Sequence, residues 1–170
     1  MTTEERWMIL KNTAAEQLSL IDKLSLNESF IEYYCEPSFE PFFKLQITWT
    51  DKIVKWYYTE WDIVADRSKF YELDGMTKVV LIQPQPTIKI TSGAITPGMF
   101  ADIIAHIRQM KISPKIDPLH MFTLDGSFNT LSLGIGDVKT IYSWHTLPNE
   151  WNDIEKLVDM ILAIKNSSTD

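Results

Sequence analysis

Along residues 7–21 the apolar side chains recur at spacings of three and four: Trp7, Leu10, Ala14, Leu18 and Ile21. That period places them on one face of a helix, beginning near residue 3. Thr3 followed by Arg6 is no capping box, so no cap marks that start. From Phe30 the period drops to two. Residues 30–35 predict a strand, which Glu36-Pro37-Ser38 stops. Residues 42–49 and 52–58 predict two more, joined by a hairpin turn at Thr50-Asp51. Residues 61–70 read as a helical turn or a loop. Leu73-Asp74-Gly75 is a second turn signal before a strand at 78–82; Pro84 and Pro86 end it, and 87–91 predicts an edge strand.

Thr96-Pro97 is a helix start, with Thr96 as N-cap and Pro97 at the first helical position. Phe100, Ile103, Ile104 and Ile107 supply its buried face, and Pro114 and Pro118 bracket a rigid connector. Residues 119–124, 128–133 and 138–144 predict a three-stranded meander, with turns at Asp125-Gly126 and Gly134-Ile135-Gly136-Asp137. Pro148-Asn149-Glu150 opens a last helix. Trp151, Ile154, Leu157, Val158, Ile161 and Leu162 form its apolar stripe, opposite Asp153, Glu155 and Asp159. The expected class is α+β: a largely antiparallel sheet of meander and hairpin strands packed with N-terminal, central and C-terminal helices, in a single domain over 1–170. At an offset of 86 residues, Phe42, Leu45, Ile47, Asp51 and Trp56 align with Phe128, Leu131, Leu133, Asp137 and Tyr142. Either an internal duplication, with halves of about 1–85 and 86–170, or the shared chemistry of two hairpins produces such an echo.

Composition narrows the function classes. A chain of 170 residues, 45% hydrophobic, can build a core without a metal or a disulfide. Sixteen Lys and Arg against twenty-three Asp and Glu leave a net charge of −7, which argues against nucleic acid or an anionic membrane as partner. Cys35 is the one cysteine, so no intrachain disulfide forms and a reducing cytosol is the simplest home. The N-terminus is acidic before it turns apolar, and Lys11, Asn12 and Thr13 interrupt the apolar run, unlike a secretory signal. No stretch approaches the ~20 apolar residues that span a bilayer. The expected location is the cytoplasm.

Catalytic grammar is sparse. Gly134-Ile135-Gly136 lacks the third glycine of a dinucleotide motif, and no Gly-x-Ser-x-Gly elbow occurs. One Cys with His106, His120 and His145 offers no short pair of zinc ligands. No catalytic residue, cofactor or metal site is therefore nominated. Cys35 with a histidine near it in space would make a nucleophile, but cysteine is more often a small buried hydrophobe.

The unusual feature is the carboxylates. Glu28, Glu32, Glu36, Glu40, Asp51, Glu60, Asp62 and Asp66 face only Lys44, Lys52, Lys55 and Arg67 in that stretch. Were 28–40 extended, its even-numbered side chains would share a face and form a negative ridge beside Tyr34. A solvated face that keeps an acidic protein soluble is the commoner outcome. As a partner-binding surface, Glu28, Glu32, Tyr34, Glu36, Glu40, Glu60, Asp62 and Asp66 would attract a basic protein. Tyr33, Tyr34, Phe39, Phe42, Trp56, Tyr57, Tyr58 and Trp61 would supply anchors. Most of those rings are expected in the core instead.

Leu124-Asp125-Gly126, Leu131-x-Leu133, Tyr142-x-Trp144 and Pro148-x-x-Trp151 lead into a Leu/Ile-rich helix. Over these C-terminal ~45 residues the chain resembles small bacterial proteins similar to immunity proteins that neutralise toxins. The resemblance implies a non-enzymatic inhibitor that occludes a toxin domain, often a basic nuclease, and carries no residue set with it. Two other functions stay open. One is a small-ligand-binding domain with an aromatic pocket. The other, less favoured, is an enzyme using Cys35 or a histidine.

Overall fold

A computed structural model describes residues 2–21, 29–38, 40–51, 53–74, 85–112 and 126–167. Helix α1, Thr3–Leu20, opens on a capping box: Thr2 Oγ1 accepts from the Glu5 N–H at 3.1 Å, and the Glu5 carboxylate accepts from the Thr2 N–H at 2.7 Å. The motif stands one residue ahead of the Thr3/Arg6 pair, so the helix start is capped after all. Leu10, Ala14 and Leu18 are buried as the three-and-four spacing predicts.

The strands are β1 Ser29–Pro37, β2 Phe43–Trp49, β3 Val54–Trp61, β4 Ile88–Ala94, β5 Ser127–Ile135 and β6 Val138–Trp144. They form one sheet in the order β4-β3-β2-β1-β5-β6, with every neighbouring pair antiparallel. The α+β class is thus as the sequence predicts. Residues 61–70 resolve into strand end and helix: α2 runs Ile63–Asp74, straight through the Leu73-Asp74 turn signal. Asp62 caps it, its Oδ1 accepting from the Ala65 N–H at 3.1 Å. Thr96 Oγ1 accepts from the Met99 N–H to start α3, Pro97–Gln109. A 3-10 turn, Asn149–Trp151, leads into α4, Asn152–Ser167. The strand candidates at 78–82 and 119–124 and the 114–118 connector lie outside the described residues.

One face of the sheet carries the main core. Ile31, Tyr33 and Cys35 of β1, Leu45 and Ile47 of β2, Trp56 and Tyr58 of β3, and Leu131 and Leu133 of β5 point into it. Ile103 of α3 and Ile154, Leu157, Val158, Ile161 and Ile164 of α4 close it from above. Tyr33 satisfies its hydroxyl within this layer by donating to Asn129 Oδ1 at 2.8 Å, as a buried phenol must. On the opposite face α1 packs Leu10, Ala14 and Leu18 against Phe42 and Trp61, with Trp7, Tyr34, Ile63 and Ile88 around them.

The internal echo has a physical explanation in this topology. The β2–β3 and β5–β6 hairpins leave β1 in opposite directions, while Leu45 and Leu131 both oppose Tyr33 on the same face. Their hands are therefore opposite, which a copied unit cannot achieve. The registers differ as well. Trp56 opposes Ile47 across a loop of residues 50–53, whereas Tyr142 opposes Leu131 across a turn of two residues. That tight turn is Gly136 and Asp137, with Gly136 at φ +58° as a two-residue hairpin requires. Gly134, read from the sequence as part of the turn, belongs to β5; a Cβ there would stand 2.1 Å from the Phe30 ring.

Candidate functional site

Alternation along each strand sends every second side chain to the face that α1 partly covers, and this face is polar. Two rungs cross the sheet. One runs Ile90, Thr59, Lys44, Tyr34, Thr130, Ser143; the next runs Ser92, Tyr57, Gln46, Glu32, Ser132, Ile141. Five of the seven buried polar side chains among the described residues lie on this face: Lys44, Gln46, Thr48, Thr59 and Ser132. Burying polar groups is unfavourable unless they are hydrogen-bonded, so their partners decide what the face can do.

Glu32 is the centre of the network. It accepts from Gln46 Nε2 at 2.8 Å and stands 3.8 Å from Lys44 Nζ. Lys44, 3% exposed, also donates to the carbonyls of Ser19 and Ile21 at the end of α1. Helix α1 has no basic residue in its last turn, so the sheet supplies the cation that its C-terminal carbonyls favour. Lys44, Gln46 and Thr48 alternate along β2, and all three are buried on the face where α1 docks.

The eight residues singled out in the sequence divide between several environments. Glu28 lies outside the described residues. Glu32, Tyr34 and Glu36 share the polar face, as the even spacing predicts, and the Tyr34 hydroxyl donates to Glu36 Oε2 at 3.1 Å. Burial, then the Glu36 charge, pushes the Tyr34 phenol well above its ordinary range. Glu40 is exposed beyond the end of β1. Glu60 lies on the opposite face, 3.9 Å from Lys165 of α4, whose ammonium sits 3.7 Å from the Tyr58 ring centroid. Asp62 caps α2 and pairs with Lys89 at 2.6 Å; that hydrogen bond, with the one from Ala65, holds its carboxyl below the usual carboxylate range.

Asp66 offers no surface to a partner. It is 2% exposed and accepts from Trp61 Nε1 at 2.7 Å, from the Thr87 N–H at 2.8 Å and from the Thr87 hydroxyl. Lys69 approaches within 3.8 Å. This carboxylate ties β3, α2 and the approach to β4 together. The ridge that remains is Glu32, Tyr34 and Glu36, with Glu40 beyond it.

The aromatic set is mostly core: Tyr33, Phe42, Trp56, Tyr58 and Trp61 are buried, while Tyr34 and Tyr57 are half-buried. Phe39 lies outside the described residues. Burial pushes the Cys35 thiol up, away from the thiolate that a nucleophile needs. His106 Nε2 is 2.8 Å from the Asp153 carbonyl oxygen, His145 is exposed beside the Phe128 ring, and His120 is not among the described residues. An open depression on α1 is lined, among the described residues, by Thr2, Glu4, Glu5, Met8 and Ile9. Among the described residues no three His, Cys, Asp or Glu are grouped to hold a metal ion, and no helix is long and apolar enough to cross a membrane. No protein-family model matches the chain, and no curated protein matches it in sequence.

Proposed function

We propose that the chain is a cytoplasmic protein-binding inhibitor of immunity type, whose partner is a basic, nuclease-like toxin domain. The observation that carries the proposal is the β1 ridge. Glu32, Tyr34 and Glu36 stand on one face, and exposed Glu40 continues the negative potential past the strand end. Lys44 faces this row from β2, and its ammonium is directed into the α1 carbonyls, so it does not cancel the outer carboxylates. A phenol held by a carboxylate beside an exposed acid is the mixture of aromatic anchor and charge that protein interfaces favour. The net charge of −7 adds long-range attraction for a basic cleft that ordinarily takes phosphates. Glu60, Asp62 and Asp66 are left out of the contact surface by their positions, and the proposed surface is correspondingly smaller than the sequence suggested.

The test is a titration of the intact chain against the toxin domain encoded beside its own gene, reading nuclease activity. Stoichiometric inhibition is expected, weakening at least about tenfold when Glu36→Lys and Glu40→Lys are combined, and weakening again with added salt. The absence of any toxin-like neighbour, or inhibition indifferent to both charge reversals, would refute the proposal.

A further inference from the structure

Two features mark the β5–β6 hairpin. Residues 126–148 contain one carboxylate, Asp137, and one lysine, Lys139, in a chain carrying twenty-three acids. The same hairpin bears four of the ten exposed large hydrophobic residues among the described residues: Phe128, Ile135, Val138 and Ile141. Scattered exposed apolar groups need no explanation, but a concentration on one neutral hairpin marks a contact surface.

Among the described residues β6 also ends the sheet. Its two-residue turn makes Ile135 and Val138 a hydrogen-bonded pair, so Val138, Thr140, Tyr142 and Trp144 direct their backbone groups to β5. Lys139, Ile141 and Ser143 then direct theirs outward, away from the sheet. Native edge strands are ordinarily guarded by charge, proline or a bulge. Lys139 is the one guard here, with no proline in the strand.

We infer that β6 is the interface between two copies of this chain, joined edge to edge in an antiparallel pair centred on Ile141. The strand is self-complementary in that register. Ile141 meets Ile141 of the second copy, Lys139 meets Ser143, Thr140 meets Tyr142 and Val138 meets Trp144. No lysine faces a lysine, so the guard does not act, and the outward backbone groups of 139, 141 and 143 are all satisfied. The charge distribution is compatible with this edge. Two chains of −7 repel through most of their surface, and a hairpin with Asp137 as its one carboxylate opposes their approach little. The other edge, β4, is less suited: Lys89 there is tied to Asp62, with Glu60 opposite it on β3. The pairing would extend the sheet continuously through both copies, leaving the β1 ridge free on each.

Sedimentation of the intact chain across about 1 to 100 μM should show a species of twice the 19.7 kDa chain mass. Because backbone bonds and apolar side chains hold it, raising the salt should not dissociate it. Ile141→Lys puts two ammonium groups opposite one another and should weaken dimerisation at least about tenfold. A thermal melt of that variant checks that each chain still folds. Register is tested separately by cross-linking. Ile141→Cys places the Cα atoms of the two new cysteines about 5.5 Å apart, whereas Ser143→Cys places them about 14 Å apart. A short bis-maleimide should therefore join the first and not the second, Cys35 being buried. A monomer at every concentration overturns the inference. So does a dimer that Ile141→Lys leaves intact, equal cross-linking through 143, or a different protein occupying this edge.

Discussion

Replacing Asp66 with alanine tests most directly how the acidic segment is used. The carboxylate is 2% exposed and holds the Trp61 indole N–H at 2.7 Å and the Thr87 amide at 2.8 Å. Alanine leaves both donors without an acceptor, and a buried donor left unpaired costs about 1–3 kcal/mol. Trp61 is 1% exposed and takes the upper part of that range, while Thr87 is half-buried and takes the lower part. The expected loss is about 3–4 kcal/mol, a large share of the ~5–15 kcal/mol that domains ordinarily have. Urea denaturation followed by tryptophan fluorescence measures it. A cycle with Trp61→Phe, which deletes the indole donor, should return a coupling of about 1–2 kcal/mol between the two sites. A surface carboxylate would cost no more than about 0.5 kcal/mol. An Asp66→Ala loss below about 1 kcal/mol, or no coupling to Trp61, would refute the assignment of this residue to the interior framework.

Four further outcomes follow from the same geometry. Thr2→Ala removes the side-chain half of the α1 capping box and should cost about 1 kcal/mol by denaturant titration, with faster amide exchange confined to the first turn. Lys44→Met keeps the length of the side chain but withdraws the cation from the α1 carbonyls and from Glu32; about 1–3 kcal/mol should be lost, with exchange rising at the far end of α1. Gly93→Ala puts a Cβ 2.7 Å from the Nε1 of buried Trp56 and should destabilise by about 1–3 kcal/mol, read from the same titration and accompanied by a shifted tryptophan emission. The Asp62 carboxyl titrates lower in the folded chain than in the unfolded one, so its stabilisation is present above about pH 4 and is lost as pH falls through the depressed folded value. Denaturation midpoints measured down an acid series should therefore fall less steeply in Asp62→Asn than in the natural chain.

Periodicity alone carries most of the element assignments. The three-and-four spacing of Leu10, Ala14 and Leu18 and the stripe from Ile154 to Ile161 are buried as expected, because a helix has one way to present such a spacing to a core. Thr96-Pro97 starts α3 for an equally local reason: its side chain and ring satisfy the helix terminus without distant help. The Thr2/Glu5 capping box is equally local, a Thr followed three residues later by a Glu, and it stands one residue ahead of the Thr3/Arg6 pair. Residues 61–70 were ambiguous because Trp61 is buried in a strand while Asp62 caps a helix. No window of fixed period describes both.

What each carboxylate does was decided by tertiary structure. Eight carboxylates, five Glu and three Asp, stand in one stretch of sequence, and spacing assigns them to faces only while the strand lasts. Alternation correctly groups Glu32, Tyr34 and Glu36, since β1 is straight through those positions. It says nothing of Asp66, whose partners Trp61 and Thr87 converge on it through a strand end and a segment twenty-one residues away. Nor does it distinguish a polar face left in water from one covered by a helix, which is the difference between Lys44 as a solvated charge and Lys44 as the cap of α1. The sequence by itself determined the amphipathic periods, the excess of negative charge and the neutrality of the last hairpin, because these are properties of residue order and count. Which polar groups are dehydrated depends on surfaces brought together from distant parts of the chain, and only the assembled sheet and helices specify that.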